Sequence, residues 1–300
     1  MKQLLLIFTL CMICQHAGQA QEVVLHGHDA IIARMKATCG TTEEAKTRYG
    51  MFEGRAYSRV PGEKDKHLFN VLGINVRHCT KVEDEIRGMG FRSVGREIMM
   101  YLDPETNEIM DQWTNPWSGE EVEVLHVAND PVNMRGFRYQ KDKDGKDVPP
   151  MKLRKYGDRT FSADEIPLFY DNPLGSEYQV YVGGAYHAME IFNSSYYSDK
   201  MLDASVTDLG HSNIAWTRVA QWLPWMQMGS RTGIMIFNAT GFSTCDKSEI
   251  WPRLQKILDE EYPLYNIPPP LDDARDNETS WTVFKEYMQD KTPKTVRGSH

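Results

Sequence analysis

Apolar and polar positions alternate with period two through most of the chain between Arg55 and Ala239, and turn residues interrupt the alternation at short intervals. RAYSRV (55–60), HLFNVLGINVRHCTKV (67–82), FRSVGREIMMYL (91–102), NEIMDQW (107–113) and EVEVLHV (121–127) each predict a strand, as do EYQVYVGGAYHAMEIFNSSYY (177–197), NIAWTRVAQWL (213–223) and TGIMIFNATG (232–241). Pro61-Gly62 and Asp103-Pro104 mark turns between them. Several strands are apolar on both sides: Leu72, Ile74 and Val76 oppose Phe69 and Val71, and Ile98, Met100 and Leu102 oppose Met99 and Tyr101. A sheet wetted on one face would not read this way. The pattern predicts a mainly β protein, a closed antiparallel meander barrel of about eight to ten strands, with a two-sheet sandwich as the second choice.

Helical periodicity is confined to the ends. Residues 28–37 place Ile31, Ile32 and Met35 on one face. Asp246-Lys247-Ser248-Glu249 has capping-box spacing before a stripe of Trp251, Leu254, Ile257 and Leu258, and 280–289 carries Trp281, Phe284 and Tyr287. Residues 139–150 are charged and broken by glycine and proline, which predicts an exposed loop.

The first twenty residues, MKQLLLIFTLCMICQHAGQA, have one lysine, a short apolar run and small residues at Gly18 and Ala20. They predict a secretory signal peptide (1–20), export to the periplasm or the exterior, and one barrel domain over 21–296 with its C-terminal helices in 246–290. Residues 297–300 look like a tag remnant. The formal net charge of −8, without a basic block, argues against nucleic acid as a partner, and no later segment is long enough for membrane insertion. Beyond the leader stand Cys39, Cys79 and Cys245, enough for one disulfide of undetermined pairing.

NPWSGEEVEVLHVANDPVN (115–133), EGRAYSRVPGEKDKHLFNVLG (53–73) and WTRVAQWLPWMQMGSRTG (216–233) together resemble the domain of unknown function 1838 family, largely bacterial and often exported. The resemblance implies relatedness over most of the chain and brings no reaction with it.

Chemistry therefore has to be read from single residues. HExxH, the phosphate-cradling glycine loop, the dinucleotide GxGxxG and the GxSxG elbow are all missing, so no cofactor and no metal is expected. His126 shares a parity with Val122 and Val124, opposite Glu121 and Glu123. With Asn129, Asp130 and Asn133 it forms the densest polar group in an apolar setting. Either Asp130 orients the imidazole as a base, or the cluster caps a turn and His126 is a satisfied structural residue. Glu190 shares a face with Tyr186 and small residues; inside, it would be a candidate acid, and outside, a solvated interruption. Trp113, Trp216, Trp222 and Trp225 suit either an adaptable apolar wall or core filling. Arg218, on the parity of Trp216, needs an acidic partner such as Glu190, Asp130 or Asp111, or a bound carboxylate.

The combined expectation is a calycin-like barrel holding a small apolar or amphipathic molecule. His126, Asp130 and Glu190 would carry cofactor-independent proton transfer of isomerase, lyase or cyclase type. Trp113, Asn129, Asn133, Tyr186, Trp216, Arg218, Trp222 and Trp225 would hold the ligand. The alternative is a lipocalin-like carrier without catalysis, and a homodimer stays open.

Overall fold

The computed structural model describes residues 20–171, 181 and 184–290. Most of the segment expected to be a leader (1–19), the expected tag remnant (297–300) and most of 177–183 lie outside the described residues. In chain order the elements are β1 (Gln21–Leu25), α1 (Gly27–Cys39), β2 (Arg48–Arg59), β3 (His67–Asp84), β4 (Gly88–Leu102), β5 (Gln112–Thr114), β6 (Glu121–Glu123), β7 (Val127–Asn129), β8 (Arg138–Tyr139) and β9 (Met151–Tyr156). Then follow β10 (Arg159–Tyr170), β11 (Tyr186–Tyr197), α2 (Ser198–Leu202), β12 (Ser212–Ala220), β13 (Ile234–Thr244), α3 (Pro252–Glu260) and α4 (Ser280–Asp290).

One antiparallel sheet runs in the order β1-β9-β10-β11-β12-β13-β2-β3-β4-β7, with β8 also on β4; β5 and β6 form a separate pair. No pairing joins β1 to β7 or β8 among the described residues, so the ladder stays open where the sequence predicted a closed barrel. The sheet nevertheless curls. β11 and β4 are five strand steps apart, about 24 Å in a flat sheet. Yet Tyr186 on β11 and Tyr101 on β4 belong to one buried cluster. Only strong curvature brings them together, and it gives the sheet an inner and an outer face.

Register assigns the faces. Asn75 faces Glu97, Gly73 faces Met99 and Val71 faces Tyr101 on the inner side; Ile74 faces Ile98 and Leu72 faces Met100 on the outer. The outer row is covered by Leu254, Ile257 and Leu258 of α3 and by Tyr262 and Tyr265. Apolar residues on both sides of β3 and β4 are thus explained by covering on both sides. Helix α1 closes one end of the inner space, with Ile31, Ile32 and Met35 against Cys79, Met89 and Phe91. Helix α4 lies at the other end, with Trp281 edge-on to Tyr186 at 4.6 Å.

Three differences from the sequence reading have physical reasons. EVEVLHV is two strands: β6 pairs with β5, β7 pairs with β4, and the chain breaks at Val124–His126. The hairpin β9–β10 was missed, although Gly157-Asp158 between Tyr156 and Arg159 is a two-residue turn signal. The helix at 246–258 divides into a short 3-10 turn, Lys247–Glu249, which Asp246 caps by accepting Ser248 N–H at 2.9 Å, and then α3.

Two covalent and polar ties hold α1. Cys39 is disulfide-bonded to Cys79 of β3, which leaves Cys245 as a thiol. Lys36 is fully buried and its ammonium donates to the carbonyls of Lys200, Asp203 and Val206 at 2.6, 2.9 and 3.3 Å. The disulfide closes a segment of 40 residues, for which the loop-entropy relation gives a stabilisation of about 4 kcal/mol. The double variant Cys39→Ala, Cys79→Ala is expected to lose about 2–4 kcal/mol in urea unfolding at an unchanged native-state spectrum.

Candidate functional site

The inner face around β4, β11 and β12 carries an unusual polar group. Glu190 and Arg218 are register partners, and the guanidinium donates to the carboxylate at 3.0 Å. Its other arm donates to the hydroxyl of Tyr186, one turn of the pleat pattern away on β11. Burial alone would lower the Arg218 pKa, but the Tyr186 oxygen and Glu190 together raise it, so this arginine is firmly cationic. Across the curled sheet stands Glu97, which accepts from the Asn75 amide at 3.3 Å. Burial first, and the negative charge of Glu190 second, push its pKa up; Asn75, Arg77 and Arg218 pull the other way without cancelling the rise. Tyr101, four residues along β4, is likewise raised by burial despite Arg218.

Asn129 completes this group. It is the register partner of Glu97, so their side chains share the inner face. Its side-chain oxygen is buried and receives no hydrogen bond among the described residues. A protonated Glu97 has an O–H to give, and Asn129 Oδ1 is an acceptor directly across the ladder. This is the arrangement a carboxyl held neutral requires.

An aromatic floor adjoins the carboxylates. Trp216 stands edge-on to Phe52 at 5.8 Å, tilts on Phe237 at 5.7 Å and faces Phe192 in register. Phe52 lies flat because its cross-strand partner is Gly73, where a Cβ would sit 2.4 Å from the ring tip. These rings are only partly covered: Phe52, Phe192 and Trp216 are half-buried, and Ile166, opposite Glu190 on β10, is 44% exposed. The inner face is therefore open to solvent on the β10 side. Two surface clefts of about 750 and 600 Å³ lie elsewhere, on α3 and beside Trp222, and neither includes Glu97, Glu190 or Arg218.

The predicted residues divide into three sets. Glu190, Arg218, Tyr186, Asn129 and Trp216 meet on the inner face. Trp113, Trp222 and Trp225 do not line it as an open wall. Trp113 and Trp225 pack edge-on at 5.8 Å and share Phe69, while Trp222 packs on Trp117 and donates to Arg231 O at 2.9 Å. They fill the core at the end nearer α4.

The third set is the His126 cluster, which the structure takes apart. At the break between β6 and β7, His126 Nδ1 accepts the Tyr101 backbone N–H at 3.1 Å, in place of a ladder carbonyl, and the ring stacks on Tyr101 at 5.9 Å. An Nδ1 that accepts an amide proton fixes the neutral tautomer with its proton on Nε2, so the ring is arranged to donate and not to act as a base. Asp130 does not orient it. The carboxylate turns to the outer side, 2.9 Å from Arg96 Nε, whose N–H is not aimed along the contact, and 2.9 Å from Arg275. Asn133 donates to Asp273 O and Arg275 O and accepts from Gly95 N–H. Arg92 adds bonds to Leu271 O and Asp273 O, and Arg96 to Ile267 O. The block Asn129–Asn133, with its cis Asp130–Pro131 bond, clamps the C-terminal strap of residues 267–278 onto β4.

The sequence profile of Protein of unknown function (DUF1838) matches residues 45–288. The chain belongs to the DUF1838 family. The match contains every residue of the inner-face group and the whole strap. No curated protein and no solved structure matches the chain. In this DUF1838 protein, no helix of the described residues is long and apolar enough to cross a membrane. Nor do three or more His, Cys, Asp or Glu side chains among them converge to hold a metal ion.

Glu97 and Asn75 escaped the sequence reading. The available signal was an acidic residue of the same parity as Met99 and Tyr101 in an otherwise apolar strand.

Two outcomes follow. Because the Glu97 pKa is raised on folding, the unfolded chain gives up this proton first as pH rises from the ordinary carboxylate value, and stability falls until the folded value is passed. Glu97→Gln has no proton to lose there, so its stability relative to wild type should rise from pH 4 to pH 8, measured by urea titration. Asp130→Ala removes the strap's ion pairs and should cost about 1–3 kcal/mol, with faster amide hydrogen exchange in residues 267–278 and none added at β11–β12.

Proposed function

We propose that this protein binds a small amphipathic molecule on the inner face of its curled sheet and acts on it by cofactor-independent acid–base proton transfer, of isomerase, lyase or cyclase type. The observation that carries the reading is the carboxyl pair of unlike environment. Glu97 is buried and its pKa is raised by that burial and by Glu190, while Glu190 is ion-paired with Arg218, whose other arm is held by Tyr186. Two carboxyl groups in such unlike surroundings suit the roles of acid and base. Glu97 is the proton donor, and Glu190 the carboxylate that takes a proton when substrate displaces part of its contact with Arg218. The half-buried rings of Phe52, Phe192 and Trp216 take the apolar body.

The lipocalin-like alternative has its own support: the Glu190–Arg218–Tyr186 contacts are satisfied without any ligand, as in a site that only recognises polarity. We further infer that the two edges of the sheet approach far enough to make the space barrel-like. The Cys39–Cys79 bond supports an exported protein, because such bonds persist in oxidising compartments.

A small-molecule extract incubated with the protein in D2O and followed by mass spectrometry separates the readings. The enzyme reading expects at least one compound to gain deuterium or change mass with wild type, and the rate to fall about 100-fold or more in Glu97→Gln. A compound retained by the protein but never altered, with equal retention by Glu97→Gln, would establish the carrier instead.

A further inference from the structure

The α1 end of the inner face holds more positive charge than it neutralises. Arg48 and Arg77 are register partners on β2 and β3, both on the inner side. Arg34 projects from α1 between the faces that pack on β3 and on β9, and Arg138 sits on β8 opposite Phe91 of β4. None of the four makes an ion pair among the described residues, although ten such pairs occur elsewhere.

Their hydrogen bonds show which are committed. Arg48 is used up by the fold: it donates to Ala37 O, Thr38 O and Ser212 Oγ, tying off the C-terminal turn of α1. Arg77 has one partner, the Asn75 amide oxygen. Arg34 gives one arm to Pro149 O at 2.7 Å, while its Nε is buried without an acceptor. Arg138 is exposed at the rim. Burial and the charges of Arg48 and Arg138 push Arg77 down to about 10, and Arg34 is lowered by burial and then by Arg138. Guanidinium groups gathered this way are strained electrostatically until an anion joins them. The carboxylates within reach are Glu97, whose pKa is raised by burial, and Asp164, which is exposed on β10.

We propose that Arg34, Arg77 and Arg138 form an anion-binding subsite at the α1 end of the inner face, taking the carboxylate, sulfate or phosphate head of a ligand whose apolar body lies on Phe52, Trp216 and Phe192. The unpartnered indole N–H of Trp216 lies along that path and offers a further hydrogen bond. The substrate class is then an amphipathic anion with an aromatic or aliphatic tail. Bidentate donation from planar guanidinium groups supplies the selectivity. Arg218, already held by Glu190 and Tyr186, is not part of this subsite.

The inference rests on the inner face being a ligand chamber, and the test keeps the two apart. Anilinonaphthalene sulfonate and the same ring system without the sulfonate are titrated against the full chain by fluorescence. Wild type should bind the sulfonate more tightly, and Arg77→Gln or Arg138→Gln should weaken it at least tenfold while the uncharged dye is unaffected. Arg253→Gln, on α3, removes the same charge and should change neither. Should Arg77→Gln fail to fold, the exposed Arg138 carries the comparison. If the uncharged dye binds but the arginine variants leave the sulfonate affinity unchanged, the subsite is wrong and the chamber survives. If neither dye binds saturably, both fall.

Discussion

From Leu68 to Cys79 of β3 and from Met89 to Leu102 of β4 each residue points to one of two covered faces, and this constraint shapes much else in the molecule. A curled antiparallel sheet has no wet side along these strands, so a polar side chain here must find a partner or remain a liability. On the outer side the demand is met in two ways: α3 and the tyrosines after it cover a row of Leu, Ile, Val and Met, and the buried Arg96 is met by Asp130 and Ile267 O. On the inner side it is met unevenly. The end by α4 is packed with rings, the middle carries Glu97, Glu190 and Arg218, and the end by α1 carries arginines.

That gradient follows from the curl. Rings of Trp113, Trp225, Phe69 and Tyr101 pack against one another where the space narrows, and dispersion between them suffices. Further along, β11 and β12 face β4 across a gap that Phe52, Trp216 and Phe192 only partly fill, and water reaches Ile166. Charge can be kept there because it is partly solvated and paired. The glycine at position 73 matters in this setting, since it lets Phe52 lie down against the sheet and leaves the floor flat.

The sequence made the long strands legible because their period-two pattern is backed by burial on both faces, and β2, β3, β4, β12 and β13 fall where the alternation put them. Short strands were less legible. β6 and β7 read as one run because nothing in EVEVLHV marks a break; the break comes from His126 offering its ring nitrogen to a neighbouring amide, a tertiary event. The candidate site was half legible. Parity put Arg218 with Trp216 and Glu190 with Tyr186, and left Glu190 as one of several acids that Arg218 could meet; register pairs the two. Parity could not say that β4 lies across from β11, so Glu97 was invisible as a partner. The NDPVN block misled for the opposite reason. Its polar density belongs to a strap about 145 residues later in the chain, where Arg275 meets Asp130, and no local pattern announces such a partner.

Glu97 is the residue whose presence is hardest to explain by stability. A Leu or Met at that position would continue the row of Met99 and Tyr101 and cost nothing in desolvation. As it stands, one hydrogen bond from Asn75 and the cross-strand oxygen of Asn129 only partly offset the burial, and Glu190 opposes its ionisation. Buried ionisable groups are commonly no more stabilising than apolar replacements of similar size. The fold gains nothing obvious from it, since Arg77 and Arg218 on either side are held by other groups. His126 presents the contrary case: its ring nitrogen closes a gap in the β4 ladder, and that bond accounts for an imidazole among valines without any chemistry. A buried carboxyl with a raised pKa, beside a second carboxylate and a fixed cation, above a partly open aromatic floor, is a costly arrangement for a scaffold and a useful one for moving a proton.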